Sequence, residues 1–151
     1  MTSDKKLPFP ATVEVRDRCL CLHVQRAARI LARRFDDVLR PFGVNNGQFS
    51  LLMSLNRPGP GPRISDLVPF LGIDRTTLTA ALKPLERRGL VHAAADERDG
   101  RAKRLRLTEA GHKVLIDALP VWRATHDAID ADLAPLDPQG LRVGLNALAG
   151  R

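Results

Sequence analysis

A chain of 151 residues, 44% hydrophobic and 27% charged, suits one domain, or one compact unit with a helical extension, that can bury a core. No apolar run approaches the ~20 residues of a membrane span, and Met1–Pro8 lacks the apolar core and small-residue cleavage site of a signal peptide, so a cytoplasmic protein with no membrane partner is expected. The formal net charge of +7 favours a polyanionic partner, and its positive part lies early, at +4 over residues 1–45 and +4 over 63–107 against −2 over 108–151.

From Asp17 to Arg40 the apolar residues Leu20, Val24, Ala27, Leu31, Phe35 and Val38 recur in steps of three and four, which predicts a long amphipathic helix closed by Pro41 and Gly43. Cys19 and Cys21 fall within it, about 200° apart around the axis, which excludes a disulfide between them there. Asn45 with Gln48 three residues on forms a capping pattern for a helix through Phe49, Leu52, Met53 and Leu55. Residues 56–62, Asn-Arg-Pro-Gly-Pro-Gly-Pro, continue neither helix nor strand and form a connector.

Ser65–Gly72 reads as a two-turn helix ended by glycine, provided that Pro69 lies in its first turn or bends it. Asp74 caps a helix from Arg75 to Arg88 with an apolar stripe of Leu78, Leu82 and Leu85 and an expected bend near Ala80 from Pro84. Residues 90–93 and 103–107 read as strands flanking the charged tip Asp96–Arg101. Thr108 and Glu109 then open a long helix towards Leu133, kinked at Pro120, and Asp137-Pro138 opens the last one, ending near Leu148.

The order short helix, turn, second helix, basic hairpin is that of a winged helix-turn-helix, so the fold expected is mainly α with a small antiparallel β wing. The second helix of such a unit lays its N-terminal end against base edges in the major groove, and the hairpin reaches the minor groove or the adjoining phosphates. Double-stranded DNA is the partner this implies. Arg75 has the forked geometry that reads guanine, and Thr76, Thr77 and Thr79 can donate to phosphate or touch a thymine methyl. Arg98 and Arg101 are long enough for a narrow minor groove, while Ser65, Lys83, Lys103 and Arg104 complete the DNA-facing set. The bland alternative is a solvated cationic helix face, and a competing function is non-specific architectural DNA binding.

The stretches 71–79, 82–91, 96–101 and 105–111 together resemble the MarR family of bacterial repressors. The resemblance implies an intertwined homodimer in which residues 1–45 (an N-terminal arm and helix) and 108–151 (C-terminal helices) pair the chains. It makes 46–107 the DNA-binding module facing a pseudo-palindromic operator. It also implies an effector pocket between the paired region and each module, and a wing aspartate, here Asp96, bracing a wing arginine, here Arg98, with Asp99 as a second brace. Long apolar stripes in so small a chain independently favour a dimer. For a small aromatic or anionic effector, Phe49, Met53, Trp122 and His23 are candidate walls, and Arg16 or Arg26 a candidate carboxylate clamp.

The segment around Cys21 also resembles the reactive-cysteine region of the hydroperoxide-sensing branch of that family, with Arg16, Arg18 and His23 as sources of positive charge; the chain has no tyrosine to serve as a phenol partner. The alternative is that both cysteines are buried small hydrophobes. His23, His92, His112 and His126 form no pair with ligand spacing, so neither metal nor cofactor is expected. A nucleophile elbow, a phosphate loop and an acid/base pair are all missing, which argues against an enzyme.

Overall fold

The computed structural model describes residues 6–151; Met1–Lys5, most of the segment read above for a signal peptide, lie outside the described residues. It divides into two compact units, residues 1–34 and 35–151.

The first unit is helical. α1 (Phe9–Arg18) begins after Pro8 with Pro10 in its first turn, where a missing N–H costs no helical bond. It buries no residue, its apolar residues Phe9, Ala11, Val13 and Val15 recur at steps of two rather than at the helical period, and the expected start at Asp17 falls near its end. At Cys19 the chain leaves helical geometry (φ −72°, ψ 98°) and re-enters it as α2 (Leu20–Leu39), which continues into the second unit. Cys19 therefore sits at a break rather than inside one long helix.

In the second unit, Arg40–Phe42 forms one 3-10 turn, and α3 (Asn46–Leu55) opens on the expected reciprocal cap: Asn45 Oδ1 accepts the Gln48 N–H at 2.8 Å while Gln48 Oε1 accepts the Asn45 N–H at 3.0 Å. α4 (Ile64–Leu71) and α5 (Arg75–Arg87) are followed by β1 (Val91–Ala95) and β2 (Lys103–Leu107), antiparallel with Val91 opposite Leu107 and Ala95 opposite Lys103. α6 (Glu109–Asp132) and α7 (Pro138–Leu148) complete the unit. The expected winged, mainly helical fold is present.

Its core is a leucine cluster in which Leu39, Leu52, Leu67, Leu78, Leu85 and Leu105 are the largest fully buried side chains. One comes from each of α2, α3, α4 and β2 and two from α5, so the core fastens the recognition elements to the wing; each stabilises by ~1.5–3 kcal/mol. None of the three internal prolines ends its helix. Pro69 lies in the second turn of α4, not the first, and α5 and α6 run through Pro84 and Pro120. The carbonyls they free, four residues earlier, belong to Ser65, Ala80 and Ile116, all on exposed residues where water can satisfy them.

The connector is more ordered than its composition suggested. Pro62 O accepts the Leu105 N–H at 2.9 Å and Arg63 forms an isolated antiparallel bridge with Arg104, so the chain just before α4 is fastened to β2.

Candidate nucleic-acid interface

α4 ends at Gly72, whose φ of +67° suits a residue without Cβ, and Asp74 then caps α5 by accepting the Thr77 N–H at 2.8 Å. The Thr77 N–H and hydroxyl hold the Asp74 carboxyl below the usual carboxylate range, so the cap stays ionised beside the helix N-terminus.

At about 100° per residue, Leu78, Leu82 and Leu85 face the core, while Arg75, Thr79 and Lys83, at steps of four, form an exposed stripe along one flank of the helix with Thr76 beside it. Thr77 falls outside that stripe. Its hydroxyl donates to Asp74 Oδ2 at 2.8 Å, and that of Thr79 donates to the Arg75 carbonyl at 2.8 Å. The expectation that Thr77 and Thr79 donate to phosphate is thereby corrected, since both hydroxyl protons are spent within the helix; Thr79 keeps a methyl and acceptor lone pairs. Thr76 has no such commitment.

Between α5, the start of α4 and the wing lies a groove of about 510 Å³. It brings together Ser65, Arg75, Thr79, Arg101 and Lys103, and adds Arg63, which the sequence reading missed. Lys83 stands on the same α5 stripe two turns further along. Asp99, expected as a brace, accepts the Arg101 N–H at 3.1 Å and so shapes the hairpin tip from within.

The buried carboxylate of Asp96 braces different arginines from the one expected. Its Oδ1 accepts the Arg98 backbone N–H at 3.0 Å, but Oδ2 takes the Arg63 guanidinium (2.5 and 3.0 Å) and the Arg104 Nε (3.0 Å). The Arg98 N–H first, then Arg63 and Arg104, hold this carboxyl below the usual carboxylate range against the opposing effect of burial. Arg104 also donates to the Gly61 carbonyl at 2.9 Å and is half-buried, so two of its three guanidinium nitrogens clasp the wing and Nη2 alone is left for an outside partner. The Arg98 side chain does not line the Arg75 groove. The sequence offered one signal for Arg63, its place directly after the Pro/Gly connector at the entry to α4.

Residues 44–111 match the model of a winged helix DNA-binding domain family. The transcriptional repressor MprA of Escherichia coli is 33% identical over 102 residues, 67% of this chain but only 56% of that repressor's length. The transcriptional regulator MosR of M. tuberculosis, solved in complex with DNA, is 35% identical and superposes with a TM-score of 0.80 over 88% of this chain and 95% of that one. A MarR-family regulator from Rhodococcus sp. RHA1 shares the fold at a TM-score of 0.74 over 87% of this chain and 96% of its own, with 22% identity. The chain belongs to the MarR family. All three relatives are transcription regulators, and none is an enzyme.

In this MarR-family chain Phe49, Met53 and Trp122 line an apolar groove of about 490 Å³ with Ser50, Phe70 and Leu71. Trp122 also packs into an aromatic cluster, its ring centroid 4.2 Å from His126 and 6.2 Å from Phe49. The other pocket candidates, Arg16, His23 and Arg26, are exposed residues of the first unit. Arg16 is paired with Asp17 at 2.6 Å and Arg18 with Glu14 at 2.6 Å, so neither guanidinium is reserved for a ligand or a thiolate. His23 Nδ1 donates to the Cys19 carbonyl at 2.8 Å.

Both thiols are free, Cys19 half-buried and Cys21 exposed in the single chain. Cys19 Sγ accepts the Leu22 N–H at 3.4 Å and so caps α2, and Cys21 Sγ accepts from Gln25 Nε2 at 3.0 Å. Because Cys19 lies outside α2, the helical separation that excluded a bond between the two sulfurs does not apply. Among the described residues no helix is long and apolar enough to cross a membrane.

Proposed function

We propose that this chain is a sequence-specific, double-stranded DNA-binding transcriptional regulator that acts as a homodimer and represses by occupying its operator. The observation that carries the reading is the convergence of Ser65, Arg75, Thr79, Arg101 and Lys103 on one groove between the second helix and the wing. An exposed arginine at the first position of α5 suits base-edge readout, and cations on the wing suit the adjoining backbone. The DNA-bound M. tuberculosis relative and the E. coli repressor support the same reading.

Dimerisation draws support from apolar surface left open in the single chain. α7 buries none of its residues and exposes Leu141, Val143, Leu145 and Leu148; in the first unit Leu20, Leu22, Ile30 and Leu31 are likewise exposed. A second copy covering residues 1–45 and 108–151 removes that surface from water and leaves 46–107 to face DNA. Selection of bound duplexes from a random pool tests both halves. The expected result is a palindrome with half-site centres about one helical turn apart; retention of scrambled duplexes with equal affinity would instead fit non-specific architectural binding and end the proposal.

The apolar groove at Phe49, Met53 and Trp122 supports an effector with an aromatic portion. Such a ligand releases DNA only to the extent that it binds the DNA-incompetent arrangement better than the competent one. A panel of small aromatic acids is expected to contain members that both raise the melting temperature and release operator DNA; a panel that does neither removes this part.

A second reading is favoured by the placement of Cys19 at the break before α2. There its sulfur can attack a hydroperoxide oxygen: the O–O bond breaks, the alkoxide leaves and takes up a proton, and the sulfur remains as a sulfenic acid. On this reading peroxide treatment lowers operator affinity and consumes a thiol, and Cys19→Ser abolishes the response. Unchanged thiol titre and unchanged affinity after treatment exclude it.

A further inference from the structure

The hairpin has a second face. His92, Ala94, Arg104 and Arg106 pair across the strands on the side opposite buried Leu105, and with Arg63, Asp96 and Arg98 they line a groove of about 680 Å³. It shares only Arg63 with the Arg75 groove.

Three of its arginines are held from behind. Arg63 uses Nε and Nη2 on Asp96, which leaves Nη1. Arg104 uses Nε on Asp96 and Nη1 on the Gly61 carbonyl, which leaves Nη2. Arg106 uses Nε on the Pro60 carbonyl at 3.2 Å, which leaves both terminal nitrogens. Asp96 balances one of the two guanidinia it binds, so the groove keeps a net positive charge even with Glu97 on its wall. Guanidinia already fixed by acceptors lose little rotamer freedom on binding, and their remaining N–H groups match phosphate oxygens in a way an ammonium does not.

We propose that this outer face of the wing is a second anion site, built for phosphate groups. Two sources supply that chemistry: the backbone of duplex extending beyond the part gripped by α5, or a free polyphosphate that binds the wing without DNA. Neither source requires Arg106 in the Arg75 groove, so its substitution separates the two surfaces.

The test uses the full chain, Arg106→Glu and the milder Arg106→Gln, each checked for native circular dichroism. One arm titrates inorganic tripolyphosphate by calorimetry without DNA. The other compares a selected duplex trimmed to its half-sites with the same duplex lengthened by a helical turn at each end. Support is tripolyphosphate binding that Arg106→Glu weakens about tenfold, or a gain in affinity for the longer duplex that the variants lose together with about one unit of salt slope, the trimmed duplex being bound equally by all three. The first outcome assigns the site to a free polyphosphate and the second to flanking DNA. Absence of both effects in the unsubstituted chain, or their survival in both variants, overturns the proposal. The tripolyphosphate arm contains no DNA, so its failure is distinct from a failure of operator reading.

Discussion

Replacing Arg75 by alanine is expected to cost ~1–3 kcal/mol of operator affinity, roughly a 5- to 150-fold loss, and to relax the preference at one base position in each half-site. The reason lies in where the side chain stands. Asp74 and Thr77 close the α5 N-terminus without it, and only its backbone carbonyl is used, by the Thr79 hydroxyl. The guanidinium is therefore exposed and dispensable for the helix, so the loss reports DNA contact and not unfolding. Lys103→Ala supplies the contrast. Lys103 lies on the wing side of the same groove, where a point charge meets backbone, and its removal should weaken operator and scrambled duplexes alike while lowering the salt slope by about one. Anisotropy titrations of both variants at two salt concentrations decide the matter. If Arg75→Ala weakens scrambled and selected duplexes equally, Arg75 is a backbone contact and the assignment of base reading to this position falls.

The order of the elements could be read from the sequence because local signals agreed with one another. Asn45 with Gln48, Asp74, Thr108 and Asp137 each marked a helix start that the structure contains, and the apolar stripe of α5 identified its buried face. What escaped depended on pairings distant in sequence. Arg63 and Asp96 are 33 residues apart and meet only because the connector runs along β2, so the brace implied by the family resemblance, with Arg98 as the guanidinium held by Asp96, placed the right carboxylate with the wrong partner. α1 escaped for a different reason: its apolar residues Phe9, Ala11, Val13 and Val15 recur at steps of two and mark no helical face. The threonines were misjudged because hydroxyl geometry inside a helix is invisible to residue type; Thr77 and Thr79 satisfy their donors one turn away.

Gly61→Ala is expected to destabilise the fold by ~2–5 kcal/mol, an effect that two separate physical causes combine to produce. Gly61 has φ +86°, a region that costs an L-residue ~1–2 kcal/mol. A Cβ added there would also lie 2.2 Å from the Leu105 carbonyl oxygen, a backbone atom that cannot swing aside. Relieving that clash means lifting the connector from β2, which breaks the Leu105 N–H bond to Pro62 and the Arg104 bond to Gly61 and leaves groups of buried Pro62 and Leu105 without partners, at ~1–3 kcal/mol. Gly59→Ala separates the two causes, because Gly59 has φ +93° but open space around its added Cβ, so only the conformational cost remains. Denaturant melts of the two variants should therefore differ by more than ~1 kcal/mol. The same substitution reaches function through Arg63, which both opens α4 and clasps Asp96 of the wing. A displaced connector shifts the start of α4 against the wing, so Gly61→Ala chains that remain folded should bind operator less tightly than equally folded Gly59→Ala chains. Equal melts and equal operator affinities for the two alanine variants would mean that the connector is not fastened to β2 and that the wing is positioned by the leucine core alone.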